Sequence, residues 1–180
     1  MNHIQNIKIF SICFDWIESI VQAVIIVVFL MNFVFRTVNI SGDSMRNTLH
    51  NNDKVIIRLW NYTPKSGDIV VIKRGNKLET PIIKRIIATE GQKLNIDFNQ
   101  GTVSVDGRKI YEPYIKERMW LRGDADIPDI IPNGYCFVMG DNRNNSTDSR
   151  FEEVGLIPYS NIVGKATYII FPLNRTKVLT

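Results

Sequence analysis

Two side chains in this sequence could carry nucleophilic chemistry if the fold brings them together. They are Ser44, in Ser41-Gly42-Asp43-Ser44-Met45, and Lys84, in Ile82-Ile83-Lys84-Arg85-Ile86-Ile87. A serine hydroxyl is a poor nucleophile until a base takes its proton. Lysine can be that base when burial away from water brings its pKa down from about 10.4 toward neutrality. The isoleucines flanking Lys84 and Arg85 suit a desolvated strand, and alternation along it sends the two cations to opposite faces. One can then be a buried base while its neighbour takes an ionic partner. A third run, Gly140 to Arg150, reads GDNRNNSTDSR directly after the apolar Tyr135 to Met139. It is denser in Asp, Asn, Arg and Ser than a surface turn needs. On residue types alone, Lys84 is also readable as a surface lysine on a half-buried strand, and Asp43-Ser44 as an ordinary turn.

Competing catalytic patterns are poorly supported. His3 lies ahead of a long apolar segment, and His50 sits in the polar run His50-Asn51-Asn52-Asp53, where an exposed turn accounts for it. A serine-histidine-aspartate triad therefore lacks a good base. The sequence around Ser44 lacks the second glycine of a nucleophile elbow, and no serine is followed three residues later by lysine. There is no HExxH and no paired CxxC for zinc, so no metal or cofactor is expected.

These residues must be positioned by short β-rich runs: Lys54 to Trp60, Asp68 to Lys73, Pro81 to Ala88, Lys93 to Ile96, Thr102 to Val105, Tyr135 to Met139 and Ala166 to Phe171. No long amphipathic helix competes with them, so the expected fold is mainly β, an antiparallel catalytic core with a small β-rich insert. Asp106-Gly107 inside Val103 to Ile110 marks a tight hairpin, because it supplies the positive backbone dihedrals such a turn demands. After it the hydrophobic regularity fades and Pro113, Pro128 and Pro132 gather. The expected division is an anchor segment over 1–37, a core over 38–98 and 133–174, an insert over 99–132 and a tail over 175–180.

Ser19 to Phe35 carries no charge, and Ile17 to Val38 would make a helix of about 33 Å, enough to span a bilayer. No small-residue cleavage site follows it, which favours a retained transmembrane helix over a removed secretory signal. Ahead of it, Ile4, Ile7, Phe10, Phe14 and Ile17 recur at helical spacing, compatible with a helix lying along the membrane or with the first turns of the span. The chain has 180 residues, 44% of them hydrophobic, and a formal net charge of +4. This allows one modest domain plus an anchor. The basic excess is scattered, without the aromatic-interleaved patch that nucleic-acid binding needs, and suits a surface near anionic lipid. Cys13 and Cys136 are read as unpaired.

The combination resembles the bacterial type I signal peptidases, membrane-bound proteases that remove signal peptides from exported proteins. Ser41 to Leu49 resembles the family's nucleophile segment. Gly67 to Val71 with Ile82 to Ile87 resembles its lysine segment, and Gly140 to Arg143 with Ser146, Asp148 and Arg150 resembles its final box. The likeness runs from Val38 to about Asn174.

It implies a serine-lysine dyad of Ser44 and Lys84 in a single-pass cell-membrane protein whose catalytic domain lies on the extracytoplasmic side. The few charges flanking the span weakly favour the opposite orientation, but long domains translocate largely regardless of charge. It further implies the Ser44 backbone N–H as oxyanion donor, Gly42 where some members carry a second donor hydroxyl, and Ser146 bonded to the lysine amine. Asp141 would partner Arg85, Asp148 with Arg150 would brace the loop, and Met45 would line the substrate cleft. Signal-peptide-bearing preproteins and the lipid bilayer are the implied partners, with small residues accepted one and three positions before the cut; oligomeric state stays open. A catalytically silent binding or assembly protein of the same fold is the alternative. Self-cleaving repressors also pair serine with lysine, but an apolar span occupies the place of their DNA-binding segment. Asn47 stands where the family commonly has proline. Since proline there fixes a backbone angle and does no chemistry, exchanging Asn47 for it is expected to have a modest effect.

Overall fold

The computed structural model describes residues 2–73 and 80–179, with side chains at 14–30, 33–73 and 80–179. A single helix, α1 (Asn2–Phe33), precedes the β-rich body. The expected span over Ile17 to Val38 is corrected at its end. The helix stops at Phe33, and the last residues of that stretch form β1 (Phe35–Asn39), paired antiparallel with β2 (Lys54–Arg58). Strand pairing satisfies this backbone, and β-branched residues such as Thr37 and Val38 lose less there than in a helix. Among the described residues no helix is long and apolar enough to cross a membrane. Asp15 and Glu18 stand just ahead of the uncharged stretch and Gln22 within it, and the side chains from Ile17 to Phe29 are exposed.

The main sheet continues through β3 (Ile69–Ile72), β4 (Ile82–Thr89), β8 (Tyr135–Met139), β9 (Ile157–Pro158), β10 (Ile162–Phe171) and β11 (Lys177–Val178). Its order is β1-β2-β10-β3-β4-β8-β9, with β11 on the far part of β10, and the pairings are antiparallel. A second, three-stranded sheet consists of β5 (Leu94–Asp97), β6 (Thr102–Val105) and β7 (Arg108–Lys109). Its β6–β7 turn holds Asp106 at φ 52° and Gly107 at φ 75°, the positive dihedrals that Asp-Gly was read as providing.

Alternation decides which faces these strands bury. In β2, Val55 and Ile57 are buried while Lys54 and Arg58 face out. They join Ile40, Met45, Leu49, Ile69, Val71, Ala166, Ile169 and Leu179 in one apolar cluster. A second cluster, around Ile87, Phe137, Met139, Val103 and Met119, joins the small sheet to the main one. β3 and most of β4 are buried through their length, because the sheet is covered on both faces there. Lys84 and Arg85 therefore enter the interior from a strand with little exposure on either side.

Candidate active site

The chain crosses from β1 to β2 through a tight turn built around Ser44. Gly42 takes φ 91°, a conformation that L side chains rarely adopt, and its N–H donates to Asn51 Oδ1 at 3.2 Å. Arg46 N donates to Asp43 O at 3.0 Å, while Thr48 N and Leu49 N both donate to Met45 O. The turn directs successive side chains to different places. Ser44 faces a cleft, and Met45, 1% exposed, packs in the core with Ile40 and Leu49.

That cleft has a volume of about 280 Å³ and runs between the start of this turn and the start of β4. Val38, Ile40, Val71 and Ile83 give it apolar walls, and Ser44 and Lys84 lie on it. Lys84 Nζ is 2.7 Å from Ser44 Oγ. Burial pushes the Lys84 amine down from 10.5 to about 8, against the carboxylates of Asp148 and Asp141, which favour its charged form. Near neutrality this amine is thus within reach of the unprotonated form that can accept a proton.

Arg85 takes the other face of β4. Its guanidinium donates to both Asp141 carboxylate oxygens at 2.9 Å and to Gly67 O at 2.7 Å, and lies 3.9 Å over the Tyr114 ring. Asp141 also accepts from Thr48 Oγ1 in the nucleophile turn. Arg150 is bidentate to Asp148 and donates to Leu121 O and Arg143 O, while Arg143 binds Glu112. Arg85, Arg143, Arg150, Asp141 and Asp148 are all buried. Their charges are tolerated because each is paired and hydrogen-bonded.

The polar box also grips the nucleophile turn directly. Asn142 N donates to Ser44 O, and Asn142 Nδ2 to Asp43 O, each at 3.0 Å. A Cβ added to Gly140 would stand 2.3 Å from Ser146 Oγ and 2.5 Å from Ser44 O. No side chain larger than hydrogen fits between these two segments.

Several expectations change. Met45 does not line the cleft, because its side chain is taken by the core. Ser146 Oγ is buried at the Gly140 contact without a hydrogen-bond partner among the described residues, so the expected bond to the lysine amine is absent; that amine bonds Ser44 instead. The Gly42 N–H is engaged by Asn51, whereas the Ser44 N–H has no acceptor among the described residues. Asn47 has φ 96°, which proline cannot adopt, and its Nδ2 donates to Ile115 O. The turn after Ser44 thus differs from one that a proline would shape. Cys136 is buried and free, and the Cys13 side chain lies outside the described residues.

Sequence reasoning also missed parts of the scaffold. Thr48 lies in the nucleophile segment with no pattern that marks its role, and Glu112 and Tyr114 fall in a stretch with no periodicity to place them. Gly140 and Asn142 carried a signal only as members of the polar box.

A buried amine on a serine hydroxyl beside an apolar cleft is equipment for acyl-transfer hydrolysis. Comparison with known proteins gives the class its family. The family described as signal peptidase, peptidase S26, matches residues 13–171. Signal peptidase I P of Bacillus subtilis subsp. natto is 35% identical over 173 residues, covering 91% of this chain and 91% of that protein. Signal peptidase I T of Bacillus subtilis is 34% identical over 91% of this chain and 88% of its own length. A probable signal peptidase I-1 of Synechocystis is 35% identical over 88% of this chain and 83% of its own length. The chain belongs to the signal peptidase family, peptidase S26, and is a serine endopeptidase.

Proposed function

We propose that the chain removes N-terminal signal peptides from exported preproteins, with Ser44 as nucleophile and Lys84 as general base. The observation that carries this reading is the 2.7 Å approach of Lys84 Nζ to Ser44 Oγ, with Lys84 only 4% exposed. Neutral Lys84 takes the hydroxyl proton as Ser44 Oγ adds to the scissile carbonyl. The ammonium then protonates the leaving amine as the C–N bond breaks. Water, deprotonated by the regenerated amine, releases the acyl group from Ser44. The Ser44 N–H is the backbone donor for the oxyanion. Apolar walls at Val38, Ile40, Val71 and Ile83 suit small apolar side chains ahead of the cut.

Asp141 with Arg85, and Asp148 with Arg150, act as structural support for the loop beside the dyad. Ser146 and Gly42 complete the immediate surroundings by packing and turn geometry. The exposed apolar side chains of α1 support attachment to a bilayer, and the family likeness is what favours the extracytoplasmic side for the β-rich body. A substrate held in the same membrane gains effective concentration from that geometry.

The test is cleavage of a preprotein bearing an Ala-X-Ala site by the full chain in detergent, beside folded Ser44→Ala and Lys84→Met variants. Cleavage by the parent and by neither variant is expected. A folded but inactive parent would favour the silent binding protein, and activity surviving Lys84→Met would mean that another group is the base.

A further inference from the structure

We infer that Asn142 is a positioning residue for the oxyanion donor, acting through the peptide unit that joins Asp43 to Ser44. This rests on the reading of Ser44 as nucleophile. The Asp43 carbonyl and the Ser44 N–H belong to one planar trans peptide, so they point in opposite directions. Asn142 Nδ2 donates to that carbonyl at 3.0 Å, and Asn142 N donates to the next carbonyl, Ser44 O, also at 3.0 Å. Holding two successive carbonyls fixes both peptide planes around Ser44. The direction of the Ser44 N–H is then set before any substrate arrives.

Two further observations agree with this assignment. The Ser44 N–H has no acceptor among the described residues, as a donor kept for a developing oxyanion requires. Asn142 is 2% exposed, and its Oδ1 is buried without a hydrogen-bond partner among the described residues. Such an atom is costly to leave unpaired. Turning the amide over would set Oδ1 against Asp43 O, two acceptors face to face, so the contact with Asp43 selects the amide orientation. Accepting a hydrogen bond at the carbonyl end also polarises the peptide and strengthens its N–H as a donor.

The full chain in detergent tests this with Asn142→Asp, which keeps the shape and loses the donor, and Asn142→Ala, which also removes the unpartnered oxygen. Each is assayed for preprotein cleavage and for binding of a peptide aldehyde ending in alanine and of the corresponding peptide alcohol. With the aldehyde, Ser44 Oγ adds to the carbonyl carbon, the C=O π pair moves to oxygen as an oxyanion, and the hydroxyl proton passes to Lys84. Both variants are expected to lower kcat about 10- to 100-fold with KM within about twofold. Aldehyde affinity should fall by the same factor and alcohol affinity should not change. A kcat within about twofold of the parent, or equal losses for aldehyde and alcohol, would overturn the inference. If one variant does not fold, the other gives the same comparison. Ser44→Ala separates the two levels: activity without the Ser44 hydroxyl removes the nucleophile reading itself, whereas a dead Ser44→Ala beside fully active Asn142 variants removes this inference alone.

Discussion

Gly140 and Ser146 are in contact so close that a single methyl group on Gly140 would lie 2.3 Å from Ser146 Oγ. The same methyl would meet the Ser44 carbonyl oxygen at 2.5 Å, and that obstacle is backbone, not a flexible side-chain end. Gly140→Ala must therefore displace the nucleophile turn or the loop that follows β8. The expected result is a loss of cleavage of about 100-fold, the scale on which misplacement of about 1 Å acts, and a thermal midpoint lower than that of the parent. Steady-state kinetics beside a thermal melt checks both.

Asn47→Pro should be strongly damaging, against the modest effect expected of a proline that only fixes a backbone angle. Asn47 sits at φ 96°, and proline is confined near −65°. Its side chain also ties the turn to Ile115. A destabilisation of more than about 1 kcal/mol is expected for Asn47→Pro, because the native φ is one that proline cannot take, whereas Asn47→Gly retains the backbone angle and loses only the side-chain bond. Comparing the two denaturation midpoints tests the assignment.

Lys84 makes stability depend on pH. Its pKa falls from 10.5 to about 8 on folding, so below about 8 both states carry the proton and the folded state bears the full cost of a buried ammonium. Between about 8 and 10.5 the unfolded chain holds more protons than the folded one, and stability rises with pH. The shift corresponds to about 3 kcal/mol. Lys84→Met should accordingly be more stable than the parent at pH 7, with the gap closing toward pH 10. The difference between the two proteins isolates this group from Tyr62 and Tyr114, whose raised pKa values act in both.

Removing Asp141 should take from the buried Arg85 guanidinium the carboxylate that accepts from it twice. The Arg85 and Asp141 side chains are 3% and 0% exposed, and Asp141 also accepts from Thr48. Asp141→Ala is expected to destabilise by about 3–5 kcal/mol. A double replacement of Arg85 by Met and Asp141 by Leu should recover much of that loss, and equilibrium unfolding of the two variants decides it.

The strands that carry the site were legible because their periodicity and turn signals agree. Tyr135–Met139 and Thr102–Val105 form as read, and the strand bearing Lys84 and Arg85 differs by one residue at each end. β1 was not legible, since Phe35–Asn39 follows an apolar helical run without a turn signal between them and only its pairing with β2 marks it as a strand. The two-residue strands at Ile157–Pro158 and Lys177–Val178 are too short to carry a period. In the site, the meeting of Ser44 with Lys84 followed from residue chemistry together with the family likeness. The burial of Met45 did not, because a turn has no period from which to read which side chain faces the core. The grip of Asn142 on Asp43 and Ser44 spans about a hundred residues and depends on backbone carbonyls, which no side-chain pattern records.

The pH dependence of kcat/KM for preprotein cleavage by the full chain tests the pairing of Ser44 with Lys84 most directly. The account predicts a rate that rises with pH through a single limb near 8, where burial places the Lys84 amine. A limb near 6.5, the range of an imidazole, or a rate independent of pH from 6 to 10, would contradict it.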